Sequence, residues 1–139
     1  FGVAADIWSA TSFNELRREA MAAERWSLLH PEAEARQSYV AQMLSKRQGP
    51  VIASTDYMRS FPEQIRPYVA SRFVTLGTDG YGRSDTRAKL RRFFEVNRHY
   101  VVIAALKALA DEGALAASVV SEAIGKYGID TDRPCPWTV

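Results

Sequence analysis

The sequence predicts an α/β fold in which a short, mostly parallel sheet is flanked by helices. Apolar, partly β-branched runs at residues 51–54 and 73–76 have the length of strands, and segments with helical spacing of apolar residues separate them. Strands that alternate with helices form parallel sheets through right-handed crossovers. Three short strands, counting one near the start, are fewer than such a sheet normally has. We therefore expect a first strand upstream of Phe1.

The chain begins with Phe1 rather than Met, and we expect it to be a piece of a longer protein. Residues 3–8 alternate between apolar Val3, Ala5 and Ile7 and their neighbours, which predicts a strand. Ser12-x-x-Glu15 is a capping box. Apolar residues recur behind it at helical spacing, so a helix is predicted from about Ser12 to Leu29 with its apolar stripe packed on the sheet.

His30 and Pro31 end this helix, and Pro31 is predicted to lie in the first turn of the next one. The apolar stripe of that second helix spans residues 39–44. His30 could be a ligand, but no second histidine or carboxylate cluster is near it in the sequence. A local hydrogen-bonding role is therefore favoured.

Gly49-Pro50 separates this region from the strand at 51–54, and Pro62 permits a turn at 56–59 and a short helix near 63–66. Three further helices are predicted near 85–93, 97–112 and 116–127, the last two closed by Gly113 and Gly128. The middle helix is apolar from 100 to 110 apart from Lys107. We expect it to be buried on more than one side.

A loop with three glycines in six residues, Gly77 to Gly82, follows the strand at 73–76, and Ser84 or Asp85 is predicted to cap the next helix. Ligands and partners usually meet an α/β sheet at such strand ends. Gly77-x-x-x-x-Gly82-Arg83-Ser84 nearly matches a phosphate-binding loop. We discount that match because Arg83 replaces the lysine and Asp79 would repel an anion.

Three interpretations of this loop stay open at the level of sequence. The first is a turn with a helix cap. The second is an interface, with Tyr81 as a buried anchor, Arg83 held by Asp79 across the turn, and Arg87 nearby. The third is an anion- or nucleotide-binding regulatory module that uses Gly77 to Ser84, with Arg83 and Arg87 as clamps.

Composition excludes several classes of protein. The net charge of +2 is too small to indicate nucleic-acid binding, and a locally basic stretch from Arg83 to Arg98 is interpreted as a solvated helix face. Cys135 is the single cysteine, so there is no internal disulfide and no zinc spacing, which favours a reducing cytoplasm. The apolar run at 100–106 is far shorter than the ~20 residues of a membrane span. No residue stands out as catalytic, cofactor-binding or metal-binding.

Five ordered blocks resemble one family, the carboxyl-terminal domain of the homodimeric, thiamine-diphosphate-dependent, acetyl-transferring pyruvate dehydrogenase decarboxylase component. The similarity reaches about Asp132. It departs from the family at Ala88-Lys89, at Asn97 and over residues 132–139. The blocks are Thr11–Leu16, Glu24-Arg25-Trp26 with Leu29-His30-Pro31, Ser54–Met58, Leu76–Gly80 through Arg87, and Phe94-Glu95-Val96.

The resemblance implies that residues 1–139 form a single transketolase C-terminal-like domain with three layers. It implies a parent oxidoreductase of the bacterial cytoplasm that decarboxylates pyruvate and passes acetyl to a lipoyl group. Thiamine diphosphate and magnesium would be held by the preceding domains, and this domain would support the dimer without catalytic residues. The implied partners are the upstream domains, the second subunit and the dihydrolipoyl acetyltransferase, with no nucleic acid and no membrane.

Overall fold

The sheet consists of two parallel strands in a computed structural model that describes residues 1–139. They are β1 (Val51–Ser54) and β2 (Phe73–Leu76), with Val51 opposite Phe73 and Ser54 opposite Leu76. Both strands lie where the apolar runs predicted them, which confirms the α/β architecture. Because the strands are parallel, the segments that follow Ser54 and Leu76 leave the sheet at the same end, the carboxyl end of both strands.

Two helices precede β1. Helix α1 (Phe13–Leu29) begins after Ser12, whose hydroxyl accepts a hydrogen bond from the Glu15 backbone N–H at 3.2 Å. Helix α2 (Tyr39–Leu44) begins after Ser38, which caps it in the same way. The prediction that Pro31 starts α2 is wrong. Pro31 lies in a turn well before α2, and the capping hydroxyl of Ser38 fixes the start of that helix instead.

The predicted strand at residues 3–8 is also wrong, because residues 1–11 form neither strand nor helix. The sheet contains only β1 and β2, so no strand pairs with the N–H and C=O groups of this segment. Ile7 is 96% exposed, and Asp6 forms an ion pair with Arg47 at 3.2 Å. The alternating sequence supplies two faces, but a strand also needs a neighbour.

A short helix and a 3₁₀ turn connect the two strands. Helix α3 (Ser60–Glu63) contains Pro62 in its first turn, where the missing N–H needs no partner, and the 3₁₀ turn spans Arg66–Tyr68. The short helix therefore begins about three residues before the predicted position.

The two outer edges of the sheet differ. In this register the N–H and C=O groups of Phe73 point away from β1. The Phe73 carbonyl instead accepts a hydrogen bond from Nη1 of Arg66 at 2.9 Å. The Glu63 carboxylate binds both the Arg66 guanidinium and the Thr75 hydroxyl, which lowers the Glu63 pKa chiefly through the bond to Arg66. The backbone of Ile52 points away from β2, and no strand pairs with it. The sheet thus has a covered β2 edge and an open β1 edge.

Three helices follow β2: α4 (Arg87–Phe93), α5 (Arg98–Asp111) and α6 (Ala117–Lys126). The bounds of α5 and α6 confirm the prediction to within about a residue. The cap of α4 is Thr86, not Ser84 or Asp85, because the Asp85 carboxylate accepts the Thr86 N–H at 2.7 Å and the helix starts later.

Helix α5 packs between the sheet and α6, as its apolar sequence predicted. Leu106 is 2% exposed and forms a core cluster with Val120 and Ala123 of α6. A second cluster lies between the sheet and the first helices, and it consists of Val40, Ile65, Val69 and Phe73. No helix of the structure is both long enough and apolar enough to cross a membrane.

The chain exposes more surface than a folded monomer of its size. Its accessible area is 9649 Å², whereas about 7,200 Å² is expected for 15.5 kDa. Only 17 of 139 residues are buried, and the side chains of Leu28 and Tyr81 are 77% and 82% exposed. Several large apolar side chains are thus exposed on a surface that is larger than the mass predicts.

Candidate interface at the carboxyl edge of the sheet

Two segments meet where the strands end, and we call them the post-β1 turn (Thr55–Arg59) and the glycine loop (Gly77–Ser84). The Thr55 N–H donates to the Leu76 carbonyl at 3.0 Å, which extends the ladder by one bond. The Thr78 N–H then donates to the Tyr57 carbonyl at 2.8 Å, and the Thr78 hydroxyl donates to the Asp56 carbonyl at 2.9 Å. The start of the glycine loop is therefore fixed to the post-β1 turn.

The structural need for glycine differs among the three glycines of the loop. A Cβ on Gly77 would lie 2.5 Å from the Arg59 nitrogen and 2.8 Å from the Tyr57 oxygen, both backbone atoms, so close approach requires glycine there. Gly80 has a φ of +105°, which side-chain-bearing residues rarely adopt. A Cβ on Gly82 would meet nothing within 4 Å.

Asp79 joins the two segments by its side chain. Its Oδ1 accepts the Arg59 backbone N–H at 3.1 Å, and its Oδ2 lies 3.2 Å from Nε of Arg59, in a geometry that gives an ion pair but no hydrogen bond. The guanidinium of Arg59 also lies over the Trp137 ring at 4.7 Å. The expected pairing of Asp79 with Arg83 is wrong, because the close contact at Gly77 places Asp79 beside Arg59 instead.

The other predicted interface residues point outward or onto helix α4. Tyr81 is 82% exposed at the tip of the glycine loop. The Arg83 guanidinium stacks over the Phe93 ring at 4.1 Å, and the Arg133 guanidinium lies over the same ring at 4.7 Å. Tyr81 therefore projects from a loop that is held on both sides of it.

Asp56, which sequence reasoning missed, ties α4 to the post-β1 turn. Its carboxylate accepts two hydrogen bonds from Arg91, Nε at 2.9 Å and Nη2 at 2.6 Å, and a longer one from Arg87 at 3.4 Å. The bond to Arg91 is the main reason that the pKa of Asp56 lies below its usual value. Arginines four residues apart, facing a carboxylate just beyond a strand, were the available signal in the sequence.

The predicted anion clamp is not supported by this geometry. Arg87 is bound to Asp56, Arg83 is stacked on Phe93, and the N–H of Thr78 is used within the fold. Lys89 lies 3.5 Å from Asp85. The basic side chains that a phosphate site would use are therefore engaged within the fold.

The two histidines and the cysteine have local contacts. His30 lies at the end of α1 with Nδ1 2.8 Å from the Trp26 carbonyl oxygen, and its ring stacks on Trp26. His99 lies in the first turn of α5 and stacks on Tyr127. Cys135 is exposed and free. No group of three or more histidine, cysteine, aspartate or glutamate side chains is arranged to hold a metal ion.

Comparisons with known proteins match nearly all of the chain. Residues 1–97 match the family model described as the transketolase-like TK C-terminal domain. The "Pyruvate dehydrogenase E1 component" of Pseudomonas aeruginosa is 60% identical over 137 residues, 98% of this chain and 16% of that protein. The proteins of the same name from Cupriavidus necator and Escherichia coli K12 are 58% and 49% identical over 100% and 98% of this chain, 16% and 15% of their own lengths. The chain thus spans about one sixth of these curated relatives, and the matches confirm the resemblance carried by its ordered motifs.

Proposed function

The chain belongs to the transketolase-like C-terminal domain family, and from this premise we propose that it works as a non-catalytic, dimer-supporting domain of a pyruvate dehydrogenase E1 component. The parent enzyme would decarboxylate pyruvate in the bacterial cytoplasm. It would pass the acetyl unit to a lipoyl group on the dihydrolipoyl acetyltransferase. Thiamine diphosphate and magnesium would be held by other domains of the parent chain.

The residues of this chain do not fit the cofactor. Magnesium and a diphosphate need free oxygen ligands and converging donors, yet the carboxylates of Asp56 and Asp79 are engaged by Arg91 and Arg59. No group of three or more histidine, cysteine, aspartate or glutamate side chains is arranged to hold the ion. We therefore assign the domain no part in the chemistry itself.

The large exposed surface is the observation that carries the proposal. The excess of roughly 2,400 Å² over the area expected for the mass is of the size that permanent protein interfaces bury. The open β1 edge, where the backbone of Ile52 has no strand beside it, would accept a strand from the upstream part of the parent chain. The β2 edge is less suited to this role because Arg66 already binds the Phe73 carbonyl.

The glycine loop is the proposed contact with the second subunit. Tyr81 is its anchor, Arg83 its charged neighbour, and Asp79 and Arg87 hold the loop and α4 against the post-β1 turn. Tyrosine and arginine are enriched at interface hot spots. A loop that is already ordered loses less entropy when it binds, so the close contacts at Gly77 favour this role.

The replacement Tyr81→Ala tests the interface. In the isolated 139-residue chain it should change the free energy of unfolding by well under ~1 kcal/mol, because the ring is exposed. In the complete enzyme it should weaken the dimer by about 2 kcal/mol or more, roughly thirtyfold in dissociation constant. Tyr39→Ala is the matched control, since Tyr39 is 54% exposed on α2.

Analytical ultracentrifugation and urea unfolding measure the two effects. A large loss of stability in the isolated chain, with an unchanged dimer, would show that Tyr81 is a packing residue. The loop would then be a turn with a helix cap.

An upstream extension tests the open β1 edge. A version of the chain that includes the preceding strand should unfold at a higher urea concentration and self-associate less than residues 1–139, because the strand covers the Ile52 edge. Equal unfolding midpoints and monomeric behaviour of both versions would contradict this part of the proposal.

A further inference from the structure

Residues Arg133–Val139, which we call the tail, approach the glycine loop at Gly80. A Cβ on Gly80 would stand 2.8 Å from the Trp137 Cα and 3.1 Å from the Pro136 oxygen. Pro136 is buried, and the 3₁₀ turn Pro136–Thr138 is closed by the bond from the Thr138 N–H to the Cys135 carbonyl at 3.0 Å. Because Gly80 has no side chain, the backbones of the tail and the loop are in direct contact.

Arg59 links the tail to the loop a second time. Its guanidinium lies over the Trp137 ring at 4.7 Å, while its Nε is 3.2 Å from Oδ2 of Asp79. A cation over an indole face is attracted to it, and the attraction is stronger where water is excluded. The Nε of Arg59 is buried. Trp137 therefore helps to hold Arg59 where its backbone N–H meets Asp79.

The tail is also attached to the end of helix α4, on whose Phe93 ring Arg83 of the loop stacks. Nη2 of Arg133 donates to the Phe93 carbonyl at 3.1 Å, and Nη1 lies 3.5 Å from the Arg92 carbonyl oxygen at the end of α4. The same Phe93 ring carries the guanidiniums of both Arg133 and Arg83. The tail therefore reaches both the Gly80 side and the Arg83 side of Tyr81.

The loop itself supplies little restraint in this region. No backbone–backbone hydrogen bond involves residues 79–85. From the two attachments we infer that the tail is a clasp that positions the glycine loop, so that Tyr81 is presented in one conformation. The use of that conformation at the subunit contact rests on the proposed function, whereas the positioning itself does not.

Amide hydrogen exchange in the complete enzyme tests the clasp. The Arg59 N–H, bound to Asp79, and the Thr78 N–H, bound to Tyr57, report whether the loop is held. Removal of residues 136–139 should accelerate exchange of the Arg59 amide about tenfold by easing local opening. Trp137→Ala, which keeps the buried Pro136, should accelerate this exchange as well, and its global unfolding midpoint should stay unchanged.

Two glycine replacements provide a coupling measurement. Gly80→Ala should accelerate exchange in the intact chain because the methyl group displaces the tail, and less so in the truncated chain, where only backbone strain remains. Gly82→Ala is the control, since its methyl group meets nothing. It should leave the exchange of both reporter amides unchanged.

The outcomes separate this inference from the proposed function. Unchanged Arg59 exchange in both the truncated and the Trp137→Ala enzymes would overturn the clasp, whatever happens to the dimer. Faster exchange together with an unchanged dimer dissociation constant would support the clasp and count against the subunit contact at Tyr81. Purely additive effects of Gly80→Ala and the truncation would also overturn the clasp.

Discussion

Replacement of Gly77 by alanine tests the close packing of the glycine loop on the post-β1 turn. The added Cβ would lie 2.5 Å from the Arg59 nitrogen and 2.8 Å from the Tyr57 oxygen. Neither atom belongs to a flexible side chain, so the post-β1 turn and the glycine loop must separate. Separation stretches the bonds from Thr78 to Tyr57 (2.8 Å) and from Arg59 to Asp79 (3.1 Å).

The free energy of unfolding should fall by about 1 to 3.5 kcal/mol. Two weakened hydrogen bonds, one of them to a carboxylate, account for roughly 2 to 4 kcal/mol. The lower entropy of the unfolded alanine chain offsets about 0.4 to 1 kcal/mol of that. With a urea dependence of about 2 kcal/mol/M, the unfolding midpoint should drop by roughly 1 M.

Urea unfolding followed by circular dichroism measures this drop, with Gly82→Ala as the control. A Cβ at Gly82 meets no atom within 4 Å, so this variant's free energy of unfolding should change by no more than about 0.5 kcal/mol. Equal midpoints for the two variants would refute the claim that Gly77 is required by backbone contact.

Two further predictions concern charge and cofactor. Asp56→Asn should lower stability by about 0.5 to 1 kcal/mol, since Asp56 is about half exposed and solvent screens the pair with Arg91. Because the bond to Arg91 depresses the folded-state pKa of Asp56, its contribution is full above the unfolded value of 3.8 and is lost as pH falls through the lower folded value. Urea midpoints of both forms should converge below pH 3.8; a gap independent of pH would exclude the ionised pair as its source. Calorimetry with thiamine diphosphate and Mg²⁺ should detect no saturable binding to the 139-residue chain, and a magnesium-dependent isotherm would contradict the assignment of the cofactor to other domains.

Local signals in the sequence located most of the regular structure. The apolar runs predicted the bounds of both strands, and Ser12 caps its helix as the capping box predicted. The errors occur where a partner decides the outcome. Residues 3–8 lack a neighbouring strand, and Asp85 binds the Thr86 N–H, so the later residue caps α4.

The candidate site was predictable in position but not in contacts. Glycine spacing drew attention to the loop at 77–82, and its place after β2 was correct. The reasons for Gly77 and Gly80 lie in Arg59 and Trp137, which are 18 and 57 positions away in the chain. Pairings such as Asp79 with Arg59 arise only after the two parallel strands come together.

The unequal edges of the sheet limit how isolated copies of this chain can assemble. Open-ended growth by edge-to-edge pairing of sheets needs two free edges on each copy. One edge pairs with the growing assembly, and the other remains free for the next chain. Here the Arg66 guanidinium occupies the Phe73 carbonyl on the β2 side, and only the side of Ile52 remains available. Backbone pairing through that side joins two copies edge to edge and uses the one open edge of each. Association by this route therefore ends at a closed pair and does not grow into a fibre.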